Sequence, residues 1–120
     1  MAKKILVVDD EPDVLKILLL RLEKTGYEVI GGRDGREALD LARQMIPDLI
    51  ILDVYLPDMN GDDVARILKE DKKMKHIPII LISATAASVA ERAKDCGAED
   101  YLGKPFEPEE LLDKVKKVLG

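Results

Sequence analysis

The chain has no tryptophan, one phenylalanine and three tyrosines, so aromatics reach only 3% of its residues. A core built on packed rings is excluded, and the interior has to come from Ile, Leu, Val and Ala. Cys96 is the only cysteine. No internal disulfide can form, which points to a reducing compartment. Cys96 itself reads as a small apolar residue rather than a reactive thiol. Positive charge is in deficit: 19 Lys and Arg stand against 24 Asp and Glu, for a net −5. Direct contact with nucleic acid needs a basic surface, so none is expected. Long apolar runs are missing too. Met1-Ala2-Lys3-Lys4 leads into four apolar residues before Asp9, too short for a membrane span or the core of a signal peptide. The expectation is a cytoplasmic protein without membrane contact. No repeat, low-complexity tract or linker breaks the 120 residues. They read as one domain, 1–120, large enough to close a core without staples.

What the chain does have is alternation. Ile5-Leu6-Val7-Val8, Leu49-Ile50-Ile51-Leu52 and Ile79-Ile80-Leu81-Ile82 are continuous apolar runs. Unbroken runs of this length suit central parallel strands, covered on both faces. Weaker strands are expected near 28–30 and 100–102. Helical stretches fall between and after them. Pro12 opens the first and Gly26 ends it. Asp34 with Glu37 resembles a capping box for 35–44, and 62–70 is the third helix. Ser88 with Glu91 is a second capping-box signal, stopped by Gly97, and Pro108 opens the last helix. Strand and helix alternate five times. That order implies an α/β fold, a doubly wound five-stranded parallel sheet with helices on both faces.

In such sheets, ligands bind beyond the carboxyl ends of the strands. There the sequence has Asp9-Asp10, Asp53 and Ser83, and after the weak fifth strand Gly103-Lys104-Pro105. Parallel strands bring these to one edge: three carboxylates, a hydroxyl and an ammonium. Clustered carboxylates repel and need a neutralising cation. Oxygen-only ligands favour Mg²⁺, with Mn²⁺ as the alternative, over zinc. A carboxylate beside such an ion can attack phosphorus. The metal, the ammonium and the hydroxyl would then each neutralise one phosphoryl oxygen.

The motifs Val7-Val8-Asp9-Asp10-Glu11, Leu52-Asp53-Val54-Tyr55-Leu56-Pro57, Asn60-Gly61, Ser83-Ala84 and Lys104-Pro105-Phe106 run the length of the chain. In their order and spacing the sequence resembles the receiver domains of bacterial response regulators, the family of the single-domain chemotaxis regulator. The resemblance implies the flavodoxin-like strand order 2-1-3-4-5. It implies a signalling switch rather than an enzyme acting on external substrates, one that catalyses only its own phosphoryl transfer and dephosphorylation. Asp53 would take a phosphoryl group from a sensor histidine kinase or phosphotransfer protein. Asp10 and Asp53 would ligate Mg²⁺, Asp9 through a water, and Tyr55 by its backbone carbonyl. Ser83 and Lys104 would each hold a phosphoryl oxygen, and Lys104-Pro105 would be a cis peptide. Ser83 and Tyr101 would form the switch toward a downstream output protein or domain. Many receivers also pair through the Tyr101 side, so a homodimer is admitted. Tyr55 stands where methionine is common; with Thr85 it would tune how water reaches the phosphorylated aspartate.

Other readings stand beside these. Tyr101 is equally well plain packing. The first helix carries Val14, Leu15, Ile17, Leu18, Leu19, Leu20 and Leu22, a stripe wider than one sheet-facing side needs. It reads either as a deeply packed helix or as the kinase-docking surface. A dehalogenase-like phosphatase would want a second Asp two residues past the first, where Tyr55 stands. An FMN binder would want a Ser/Thr/Gly loop where Asp9 and Asp10 stand. An unphosphorylated scaffold would not need the acids. His76 reads as a solvated loop residue.

Overall fold

The computed structural model describes residues 2–120. Five strands alternate with five helices: β1 (Lys4–Val8), α1 (Pro12–Lys24), β2 (Glu28–Gly32), α2 (Gly35–Met45), β3 (Leu49–Asp53), α3 (Gly61–Glu70), β4 (Ile79–Ser83), α4 (Ala86–Cys96), β5 (Asp100–Gly103) and α5 (Pro108–Leu119). All pairings are parallel, and the sheet order is β2-β1-β3-β4-β5. The expected doubly wound fold and strand order are what is found.

The two-residue period of a strand explains why its apolar runs do not alternate. Ile5, Val7, Leu49, Ile51, Ile80 and Ile82 pack with Leu15, Leu18 and Leu22 of α1 and Leu111 and Val115 of α5. Their neighbours Leu6, Val8, Ile50, Leu52, Ile79 and Leu81 pack with Ala38, Ala42, Val64, Leu68, Val89 and Ala93 of α2, α3 and α4. Each central strand therefore feeds two cores at once, and a polar residue on either face would be buried. The core contains no aromatic side chain among its largest fully buried members, as the composition required.

Helix ends follow local chemistry, with three differences from the sequence reading. The Asp34 carboxylate accepts from the Glu37 amide at 2.7 Å, but Glu37 reaches back to the Arg33 amide instead of completing the box. Ser88 does not cap α4. That helix starts at Ala86, with Thr85 at the cap, and the Ser88 hydroxyl donates to the Thr85 carbonyl. Serine inside the first turn can bond backward this way, so a capping motif alone does not fix the start. The full capping box lies elsewhere, Glu107 with Glu110 at the head of α5. Gly97 ends α4 at φ +81, the left-handed conformation that favours glycine.

Of the wide α1 stripe, Leu15, Leu18 and Leu22 are buried while Ile17 and Leu20 are exposed at 54% and 48%. The sheet uses one side of the stripe and leaves the other in water. Among the described residues, no helix is long and apolar enough to cross a membrane.

Candidate functional site

β1 and β3 are neighbours, with Val8 opposite Leu52. The next residue on each chain is Asp9 and Asp53, so register alone sets the two acids side by side. Asp9 is fully buried and Asp53 is 4% exposed, while Asp10 is open to solvent. One carboxylate oxygen of each of the three lies within 4.8 Å of the others. β4 continues the edge: Ile82 pairs with Asp53, and the buried Ser83 follows it. Ser83 Oγ accepts from the Thr85 amide at 3.0 Å. Lys104 comes in from β5, tied by its amide to the Ser83 carbonyl at 2.7 Å, and the Lys104–Pro105 bond is cis.

The Lys104 ammonium sits among the acids. Its Nζ is 2.9 Å from Asp9 Oδ2 and 3.4 Å from both Asp53 Oδ2 and Glu11 Oε1. Asp9 is anchored further by the Glu11 amide, which donates to its Oδ1 at 3.0 Å. Burial pushes the Asp53 carboxyl up, Lys104 pulls it back part of the way, and the charge of Asp9 pushes again; the result is about 6 against an ordinary 3.8. Burial pulls Lys104 down, but the Asp9 hydrogen bond and the charges of Asp53, Asp9 and Glu11 outweigh it and hold the ammonium above its usual range. One ammonium thus leaves the three carboxylates under-neutralised. Hard oxygen donors, converging and short of positive charge, fit a divalent cation such as Mg²⁺.

The β3–α3 loop is held down from two sides. Gly61 presses against the Asp53 carbonyl so closely that an added Cβ would collide with it. Asp58 accepts from the Gly35 and Arg36 amides at 2.7 and 2.9 Å, closing the open N-terminus of α2. These two amides hold the Asp58 carboxyl below its ordinary value. Tyr55 projects from the same loop, 43% exposed, and its hydroxyl accepts from Thr85 Oγ1 at 3.1 Å. The two positions read as tuning residues are therefore in direct contact across the β3 and β4 loops.

Tyr101 is 42% exposed on β5, its ring under the Lys114 ammonium at 5.6 Å. His76 is exposed, and Cys96 is buried with its thiol pushed up by that burial. Three residues had no role in the sequence reading: Glu11, which shares Lys104; Asp58, which anchors the loop; and the buried Asp62, which pairs with Arg92 at 3.0 Å. Glu11 follows a pair of acids and could have been suspected. Arg92 and Asp62 lie 30 residues apart with no shared motif, and nothing in the sequence joins them.

A doubly wound sheet with buried acids at its carboxyl edge, an ammonium among them and a hydroxyl beside them defines a class of phosphate-handling switch. Comparison with known proteins names the family. Residues 5–116 match the response regulator receiver domain, and the chain belongs to that family. It is 39% identical to the polar-differentiation response regulator DivK of Brucella ovis over 121 residues, covering all of this chain and 98% of that protein. It superposes on a response regulator from Chloroflexus aurantiacus with a TM-score of 0.94 at 36% identity, covering 99% and 98% of the two chains. The response regulator TrrA of Thermotoga maritima, solved in complex with Mg²⁺–BeF, matches with a TM-score of 0.88 at 38% identity over 98% of this chain and 99% of that one. Family membership ties this chain to phosphorylation-dependent two-component signalling. Receiver domains bind Mg²⁺ at an acidic pocket, and the Asp9, Asp10 and Asp53 cluster accords with that property.

Proposed function

We propose that residues 1–120 act as one receiver unit in which Asp53 accepts a phosphoryl group from a phosphohistidine of a sensor histidine kinase or phosphotransfer protein. The observation that carries this reading is the register that brings Asp53 beside Asp9, with Lys104 bonded to both. The ionised Asp53 attacks phosphorus in line, the N–P bond breaks, and the histidine nitrogen takes the electron pair and then a proton. Asp10, Asp53 and the Tyr55 carbonyl would hold the cation directly, and Asp9 through a water. When bound, Mg²⁺ or Mn²⁺ supplies the positive charge that keeps Asp53 ionised and offsets the charge on a phosphoryl oxygen. Lys104 exchanges part of its bonding to Asp9 and Asp53 for a second oxygen, and the Ser83 hydroxyl rotates to donate to the third.

Phosphorylation adds roughly −1.5 to −2 charge at a buried rim. Drawing Ser83 and Lys104 toward it moves the loops after β4 and β5. Tyr101, two residues past Glu99 and three before Lys104, reports that movement on the α4–β5–α5 face by a shift between two states. An output protein or domain, or a second copy of the chain, reads the altered face. Tyr55 and Thr85 close part of the approach to Asp53 and slow its dephosphorylation by water. The kinase docks on the exposed side of α1, where Val14 and Ile17 face Pro105 and Phe106 across an open groove of about 520 Å³. Catalysis is confined to the chain's own phosphoryl transfer and dephosphorylation, in the cytoplasm, without membrane or direct nucleic-acid contact.

The test is chemical. The protein is treated with acetyl phosphate and Mg²⁺ and its intact mass is measured. One added phosphoryl group is expected in the wild type and none in Asp53→Asn. Labelling that persists in Asp53→Asn places the acceptor elsewhere and defeats the assignment.

A further inference from the structure

Tyr55 is held at both ends. Thr85 bonds its hydroxyl at 3.1 Å, and the Arg92 guanidinium lies 5.5 Å from the centre of its ring. Arg92 is fixed in turn by Asp62, whose Oδ2 accepts from Nη1 at 3.0 Å. Asp62 stands in the first turn of α3 at 5% exposure, and its Oδ1 has no hydrogen-bond partner. Arg66, at 3.9 Å, is the other cation paired with it among the described residues. A buried carboxylate with one bare oxygen holds its good partner firmly, because releasing Arg92 would leave a desolvated charge with only a distant counterion. Tyr55 is 43% exposed. A ring this exposed turns into water unless its partners stop it. The chain of contacts Asp62–Arg92–Tyr55–Thr85 runs from α3 and α4 to the two loops that leave Asp53 and Ser83.

We propose that Arg92 is a positioning residue for Tyr55, and that the Asp62–Arg92 pair thereby sets how long the phosphorylated state lasts. The inference rests on the reading above, that the Tyr55 ring limits access of water to the aspartyl phosphate. In that decay, water oxygen bonds to phosphorus and the bond from phosphorus to the Asp53 oxygen breaks. The electron pair returns to the carboxylate, and the water protons leave on inorganic phosphate and to solvent. Neither Asp62 nor Arg92 pairs with Asp9 or Asp53, so their influence passes through the ring. A ring stacked under a guanidinium spends more of its time across the approach than one free to rotate.

The experiment compares wild type, Tyr55→Ala, Arg92→Gln and the combined Tyr55→Ala/Arg92→Gln. Each is phosphorylated with acetyl phosphate and Mg²⁺, freed of donor, and followed by intact mass as the label decays. Both single variants are expected to shorten the half-life, Arg92→Gln by about threefold, the scale of one cation–π contact at a partly exposed site. The combined variant is expected to decay no faster than Tyr55→Ala alone. In parallel, Arg92→Gln shifts the NMR ring signals of Tyr55 and leaves those of Tyr27 and Tyr101 in place, which loss of stability alone would not do. If Arg92→Gln fails to fold because Asp62 is left unpaired, Asp62→Asn/Arg92→Gln removes both charges together and carries the same expectation. A shorter half-life in Tyr55→Ala with no change in the Arg92 variant overturns the inference and leaves the Tyr55 reading standing. No change in Tyr55→Ala removes that reading and the inference together. Losses that add in the combined variant also overturn it, since Arg92 would then act by another route.

Discussion

Replacing Asp53 by asparagine should make the metal-free protein more stable, although it destroys the proposed acceptor. Asparagine has nearly the shape of the carboxyl but never ionises. In the fold, the Asp53 carboxyl titrates at about 6, against an ordinary 3.8. A tenfold change in acid strength is worth about 1.4 kcal/mol. Ionising Asp53 in the folded chain at pH 7.5 therefore costs about 3 kcal/mol more than in the unfolded one, and water at the rim of the site lowers this to about 2 kcal/mol. The sign follows from proton binding. Between pH 3.8 and 6 the native state holds the proton more tightly, so the wild type loses stability as pH rises through that window and recovers it as pH falls. Asp53→Asn has no such loss. Urea denaturation of both proteins in EDTA at pH 7.5 should give the variant about 2 kcal/mol more, or about 8 °C in melting temperature. At pH 4 the gap should largely close, because the wild-type carboxyl is then mostly protonated in the fold. A variant no more stable than wild type at pH 7.5, or a gap that is the same at both pH values, refutes the claim that the site is under electrostatic stress.

Further expectations share this origin or test the loop. Millimolar Mg²⁺ should stabilise the wild type at pH 7.5, by about 2.7 kcal/mol at one hundred times Kd, seen as a higher melting temperature, and Asp10→Asn should lose most of that gain in a thermal scan. Lys104→Met should cost the metal-free protein about 3 kcal/mol in urea, because Asp9 and Asp53 then lie buried without their common cation; Mg²⁺ should restore part of it. Asp58→Ala should destabilise by about 1 kcal/mol by opening the α2 N-terminus. Its carboxyl is held below the ordinary value, so that contribution is present above about pH 4 and is lost as pH falls further; the variant and wild type should converge in acid. Gly61→Ala should cost about 2 kcal/mol through overpacking against the Asp53 carbonyl, read as a lower urea midpoint with unchanged m.

The strands and the acids were legible for the same reason. A central parallel strand is closed on both faces, so its sequence is apolar without interruption, and the first polar residue after it marks the edge where ligands bind. That rule alone places Asp9, Asp53 and Ser83 together. Edge strands carry less of this signal: β2 ends in Gly31-Gly32 and β5 has four residues, so the sequence pattern of each falls one or two residues short of the strand. Helix starts were harder, because Ser88 bonds backward from inside α4 while Glu107 and Glu110 form the true box. The Arg92 contacts were out of reach. A cation on one helix meeting a carboxylate on another depends on how α3 packs beside α4, and no local pattern encodes that.

The two-sided strands also decide what can move. β3 and β4 are enclosed along their whole length, every residue of both being buried. A close-packed slab of that kind resists deformation. On the proposed function, a chemical event at its rim meets this stiff interior. The response is then expected around the outside, in the loops and in the helix walls, where side chains such as Tyr101 and Ile17 already stand in water. A stiff floor leaves the rim and the walls as the parts free to shift.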